Sequence, residues 1–323
     1  MKFLIGFLLA AGLETVARGG VFTNKSPADI KIIWAVPTNV WPVDKIWTYK
    51  VIPQDFSDAV ISNAMAVGSF TMKDKAHFSA EELAIDKNAL LFKNKDESKW
   101  LAIVPAWGYI EYYDQNADAK MVSTIKGVPA PVVGVPDLLE AKQIALKYAR
   151  LLGIDVSLLA RKPNTNDFDL HWIVETRGWT NPSTKKLIKE IDDFGVSFDR
   201  CIDGYSVSGF GDFEVDFGNN AKISKLIVSW RNLQPYELRG NLISPEQVVK
   251  SIEDGHTRLP RIPKEVMGVI KTVTITNATP RYNRKEADDP MDFVVPALQL
   301  DAIIGGEKTN MSVWFQTGIY GGP

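Results

Sequence analysis

Phe213-Glu214-Val215-Asp216-Phe217, the turn Gly218-Asn219-Asn220 and the run Lys222 to Trp230 read as a β-hairpin. Phe213, Val215 and Phe217 point to one side, where Leu226, Val228 and Trp230 can meet them across the ladder. Upstream, Phe168 to Glu175 and Val196 to Ile202 have strand character, and Asp203-Gly204 offers a turn into Tyr205-Ser206-Val207. Downstream, Ser244-Pro245-Glu246-Gln247 combines a capping box with proline at the first helical position, predicting a helix from Pro245 to about Glu253. Strands near 265–277, 292–300 and 310–319 follow.

The other half repeats the mixture. Lys45 to Val51 is strand-like and Pro53 stops it, then Asp55 to Val67 reads as a helix closed by Gly68. Ser79-Ala80-Glu81-Glu82 is a second capping box. Ala89 to Lys93 and Trp100 to Val104 predict a hairpin around Asn94-Lys95-Asp96-Glu97, and Trp107 to Tyr113 a further strand. Asp114 to Lys120 and Asn283 to Asp289 read as solvent-facing polar loops. Asp137 to Leu152 is an amphipathic helix with an apolar stripe of Leu138, Leu139, Ala141, Ile144, Ala145, Tyr148, Leu151 and Leu152, stopped by Gly153. A helix followed by glycine and strands thus occurs twice, which suggests a duplicated helix-on-sheet unit. The class is α+β, with antiparallel β-sheets each covered by one or a few helices and no βαβ alternation. Residues 127–136 carry three prolines and make the best linker. The expected division is a leader at 1–17, an N-terminal α+β subdomain at 18–130 and a C-terminal one at 131–323.

That leader is Met1-Lys2, an apolar run from Phe3 to Leu13, and Glu14-Thr15-Val16-Ala17, the pattern of a secretory signal peptide cut after Ala17. The run is shorter than the roughly 20 residues of a membrane span, and no later stretch is apolar enough for one. A secreted chain free of the membrane after cleavage is therefore expected. Sequons stand at Asn24, Asn277 and Asn310.

The 323 residues hold 37 basic and 39 acidic side chains, and a formal charge of −2 gives no basic footprint for nucleic acid. One cysteine excludes an intrachain disulfide or a multi-cysteine metal site, and three histidines leave little for a His-rich centre. Cys201 reads as a small buried hydrophobe in a strand. Nucleophile-elbow, zincin, P-loop and dinucleotide motifs are all missing. Gly209-Phe210-Gly211 lacks the third glycine and the helix, and His77 and His256 have no visible partner. No cofactor and no metal are expected.

Two carboxylate groupings remain. Asp167, Asp169 and His171 share one face at period two, a spacing that suits acid/base or metal chemistry, although an exposed polar strand start gives the same pattern. Glu214 and Asp216 share the face opposite the apolar side of the hairpin; paired carboxylates can hydrolyse glycosides, and a solvated outer face would look alike. Asp169, His171, Glu214 and Asp216 are the weak catalytic candidates.

From about residue 137 the chain resembles PepSY-type and YycH/YycI-type extracytoplasmic modules. The helix Glu140 to Ala149, the segment Val196 to Val207 and the hairpin Val215 to Ile223 carry the resemblance. It implies a helix packed on antiparallel strands, action through protein contacts such as restraint of a peptidase or sensor kinase, and no catalytic residues. YycH/YycI proteins usually keep a membrane anchor, a departure from the leader expected here. The expected function is binding of a protein or peptide partner by a secreted, non-enzymatic protein, through a sheet edge or an aromatic groove. The alternative is a glycan-directed extracellular hydrolase using the carboxylates above.

Overall fold

The computed structural model describes residues 30–37, 45–78, 86–117, 124–125, 128–129, 134–162, 165–180, 183, 185, 187–208, 212–240, 244–254, 270–284, 293–306 and 310–318. The leader at 1–17, the capping box at 79–82, His256 and residues 127 and 130–133 of the proline-rich stretch lie outside the described residues. In chain order the elements are β1 (Lys31–Trp34), β2 (Lys45–Ile52), α1 (Asp58–Gly68), β3 (Lys75–Ala76), β4 (Leu90–Lys93), β5 (Lys99–Val104), β6 (Tyr109–Asp114), β7 (Thr124–Ile125), β8 (Val128–Pro129) and α2 (Leu138–Leu151). Then come β9 (Leu170–Thr180), β10 (Leu187–Phe198), β11 (Cys201–Ile202), β12 (Tyr205–Ser208), β13 (Phe213–Phe217), β14 (Ile223–Ser229), β15 (Asn232–Gly240), α3 (Pro245–Glu253), β16 (Ile270–Arg284), β17 (Phe293–Gly306) and β18 (Asn310–Gly318). The class is α+β.

The chain divides into two compact units, Ile52–Asn232 and the pair of segments Met1–Val51 with Leu233–Pro323. The division expected at 130/131 falls inside the first of these. There, eight strands form one antiparallel sheet in the order β3-β4-β5-β6-β14-β13-β10-β9. Each half of that order is a helix followed by four strands. Helix α1 precedes β3, β4, β5 and β6 and packs on β5 and β6; α2 precedes β9, β10, β13 and β14 and packs on β10 and β13. The halves join through β6 and β14, with Ile110 opposite Val228 and Tyr112 opposite Leu226. The helix-then-strands pattern thus occurs twice, and both occurrences share one sheet and one core.

An apolar row crosses the sheet from β4 to β9: Phe92, Leu101, Tyr112, Leu226, Val215, Val196 and Trp172 are successive cross-strand partners. The helices seal this face. Ala141, Ala145 and Ala149 are fully buried, and their i, i+4, i+8 spacing brings α2 close to the ladder. Because alanines make that contact, Leu138, Leu139 and Leu151 stay exposed instead of joining the stripe as expected.

Local differences from the sequence reading have clear causes. Helix α1 starts at Asp58 because the Ser57 side chain caps it, accepting from the Val60 N–H at 3.3 Å. Its left-handed cap is Ser69 (φ 57), not Gly68. Gly68 is glycine for space, since a Cβ there would run into the Phe70 and Tyr112 rings. Strand β6 begins at Tyr109, after Pro105–Trp107 turn tightly and Gly108 adopts φ 57 beside the Trp230 carbonyl. The strand expected over Val196 to Ile202 is broken at Asp199-Arg200. Arg200 there lies over the Trp230 ring at 4.7 Å and donates to the Arg231 carbonyl, while Arg231 Nε donates to the Trp107 carbonyl at 2.6 Å. The loop after β6 is not wholly solvent-facing. Asp114 is buried, accepts from the Asn116 N–H at 3.0 Å and pairs with Lys99 at 3.2 Å.

In the other unit β16 and β17 form a long hairpin, with β18 and the end of β2 beside β17 and β15 beyond β2; β1 pairs in parallel with β16. Helix α3 has the expected reciprocal cap between Ser244 and Gln247, and buries Val248 and Ile252 in a core with Val273, Ile275, Leu298 and Leu300. Strand β15 presents Pro235 and Tyr236 to solvent, with the Tyr236 ring tilted against that of Phe293, centroids 4.8 Å apart. Asn277, a sequon residue, is exposed in β16 and donates to Asp301 Oδ2 at 2.9 Å.

Candidate functional site: the polar face of the eight-stranded sheet

Residues alternate sides along each strand, so a second row runs parallel to the apolar one on the opposite face. Ala102, Glu111, Ile227, Glu214, Ser197 and His171 are its successive cross-strand partners. This face gathers the ionisable groups. Lys225 Nζ donates to Glu214 Oε1 at 2.6 Å and pairs with Asp216 Oδ2 at 3.5 Å. Tyr109 donates its hydroxyl to Glu111 Oε2 at 2.8 Å. His171 Nε2 lies 3.4 Å from Asp199 Oδ2.

Burial decides the electrostatics. Asp216 and Glu111 are almost completely covered, at 1% and 3% exposure. Gly195, directly across from Asp216, leaves the space that the Asp216 carboxylate occupies; a Cβ there would collide with it. Desolvation holds the Glu111 carboxyl above its usual range against the opposing Tyr109 hydrogen bond and Lys225 charge. The Tyr109 phenol is raised by burial and by its carboxylate neighbour. Asp212, just before β13, has its carboxyl displaced toward neutrality. Burial first, then the Asp199 and Glu214 charges, push it up to about 7, with His171 pulling the other way.

Of the candidates read from sequence, His171 and Glu214 fall in one cross-strand row. Asp216 is on the same face, turned into the ion pair with Lys225. Asp169 and Asp167 precede the start of β9: the Asp169 N–H donates to the Ala160 carbonyl, and Asp167 is exposed, 3.9 Å from Lys142. Asp199, Glu111, Tyr109 and Lys225 were not among the candidates, because strand pairing alone brings them together; Asp212 was missed although its period-two spacing with Glu214 and Asp216 places it on their face. Gly195 opposite an acidic strand residue was the one local signal that a side chain crosses there. Exposed His77 lies beyond β3, and Cys201 is half-buried with its thiol raised by desolvation. Among the described residues no group of three His, Cys, Asp or Glu is placed to hold a metal, and no helix is long and apolar enough to cross a membrane.

The row ends on β9, the outermost strand. Its neighbour is β10, and among the described residues no strand pairs with its other side. Trp172, the last member of the apolar row, is 37% exposed and meets the Phe194 ring edge-on at 4.4 Å.

No protein-family model matches the chain, and no curated protein matches it. A solved structure, that of an uncharacterized protein from Eubacterium rectale, aligns over 91% of this chain and 88% of its own, with 13% identity and a TM-score of 0.48. A likeness that low carries no argument.

Proposed function

We propose that the chain binds a protein or peptide partner by strand addition along the outer edge of β9, and that it acts outside the cell as a binding module without chemistry of its own. The inequality of the two edges of one sheet supports this reading. The edge in the first copy is β3, two residues long; the corresponding edge in the second is β9, eleven residues long. Short edge strands and prolines are the usual protections against unwanted pairing. β15 has its Pro235, whereas β9, Leu-His-Trp-Ile-Val-Glu-Thr-Arg-Gly-Trp-Thr, has neither proline nor lysine. An open edge of that length offers main-chain hydrogen bonds to an extended segment. Restraint of a peptidase or another envelope partner, which the PepSY-type resemblance implies, is compatible with such an edge.

The test is capture from native extracellular fluid by the wild-type chain and Trp172→Lys side by side, with hydrogen exchange on the recovered complex. Protection of residues 170–180 in the complex and loss of capture by the variant are expected. Equal capture by both, with β9 unprotected, would sink the proposal.

A second reading, a carboxylate hydrolase, draws support from Asp212. A carboxyl titrating near 7 beside Asp199 and Glu214 has the proton affinity of a general acid. Glu214 and Asp216 are poorer actors, since Lys225 engages both and Asp216 is covered. Turnover of chromogenic glycosides that Asp212→Asn abolishes would establish it.

A further inference from the structure

We infer that the segment adding to β9 is a basic strand, with lysine or arginine on one side and an apolar, preferably aromatic, residue on the other. This rests on the strand-addition reading above. The two cross-strand rows reach the edge at neighbouring residues, Trp172 and His171, so an added strand extends both rows at once.

On the polar side, Asp169, Asp199, Asp212 and Glu214 lie at or near the β9 end of the sheet. Among the described side chains, the basic ones on that side are His171, 3.4 Å from Asp199, and Lys225, against Glu214 and Asp216. Among these the acidic groups outnumber the basic ones. Arg161 and Lys142 do not correct it, because both sit over the Phe168 ring, at 4.5 and 5.5 Å, and Phe168 belongs to the helix-covered core. Beyond the Leu170–Phe198 pair the Ala160 backbone joins the two segments, its N–H donating to the Asp199 carbonyl and its carbonyl accepting from the Asp169 N–H, so both aspartates sit at this corner of the edge. A long basic side chain on an added strand beside Asp169 and His171 can lay its stem along the edge and set its charge near these carboxylates. On the other side the exposed part of the Trp172 ring, fixed against Phe194, is an apolar surface that an aromatic on the added strand would cover.

A displayed library of random linear ten-residue peptides, selected on the full chain and with each binder then measured on Trp172→Lys, tests the inference. Far-UV circular dichroism checks that the variant is folded. Expected binders alternate lysine or arginine with apolar residues and weaken with salt. Exchanging their basic residue for glutamate should reduce affinity about tenfold, a difference that Asp199→Asn erases. Binders lost on Trp172→Lys but indifferent to charge would overturn the basic character and leave strand addition standing. Binders insensitive to Trp172→Lys, or none at all, would overturn both. A concentration-dependent dimer abolished by Trp172→Lys would give the edge to a second copy of the chain and overturn the inference.

Discussion

Replacing Asp212 by asparagine should flatten the pH dependence of stability between about pH 4.5 and pH 8. In the fold this carboxyl titrates at about 7, against 3.8 for an ordinary aspartate. The folded state therefore holds its proton over a range in which the unfolded chain has lost it. Stability is at its fullest below the unfolded value and falls as pH rises through the folded one. A displacement of about three units at about 1.4 kcal/mol each sets a ceiling of about 4 kcal/mol. Asp212 is half-buried, so water can relax around the ionised form, and an effect of about 2 kcal/mol is expected. Asparagine cannot ionise. The variant should converge on wild type as pH falls through about 3.8 and exceed it by about 2 kcal/mol near pH 8, read from urea midpoints at constant m. Glu111, raised in the same direction, should leave a residual slope in both proteins. The lowered carboxyls Asp74, Asp96, Asp155 and Glu246 lose their favourable hydrogen bonds only below about pH 4 and stay outside the window. Parallel wild-type and variant curves across the range would refute the burial argument.

Lys225→Met should destabilise by about 3 kcal/mol, because it takes the Lys225 cation from the covered Asp216 carboxylate; chemical denaturation measures this, and Asp216→Asn in the same chain should recover part of it. Gly68→Ala should cost about 2 kcal/mol by forcing a methyl against the Phe70 and Tyr112 rings, whereas Ser69→Gly should add about 1 kcal/mol by relieving φ 57; thermal midpoints of the pair should move in opposite directions. Ser244→Ala should cost about 1 kcal/mol through loss of the α3 cap, seen as faster amide exchange in the first turn of that helix.

Local rules were legible. The hairpin from Phe213 and the helix from Pro245 lie where alternation and capping put them, because both signals act over a few residues. The strand that breaks at Asp199-Arg200 was not legible, since its cause is Arg200 engaging Trp230 and Arg231 from a distant segment. The shared sheet was hidden for a similar reason. Nothing within either copy announces that Tyr112 will face Leu226. The polar row was half visible: Asp212, Glu214 and Asp216 betray a common face by their period-two spacing, but Glu111 and Asp199 join them only through pairing across strands.

The junction of the two copies at β6 and β14 also has consequences for how the chain folds. Every other strand pair in that sheet links segments near each other in sequence, except that β10 meets β13 across the small β11–β12 hairpin. Each helix with its four strands can thus close through short loops. The β6–β14 ladder must wait for residues 109–113 to find 225–229, a long closure whose entropy is repaid only when Tyr112 and Leu226 are already shielded. Refolding should accordingly show early protection within each copy and late protection at the junction. A chain halted between those steps would expose two more unpaired strands, making the slow intermediate the species most prone to self-association.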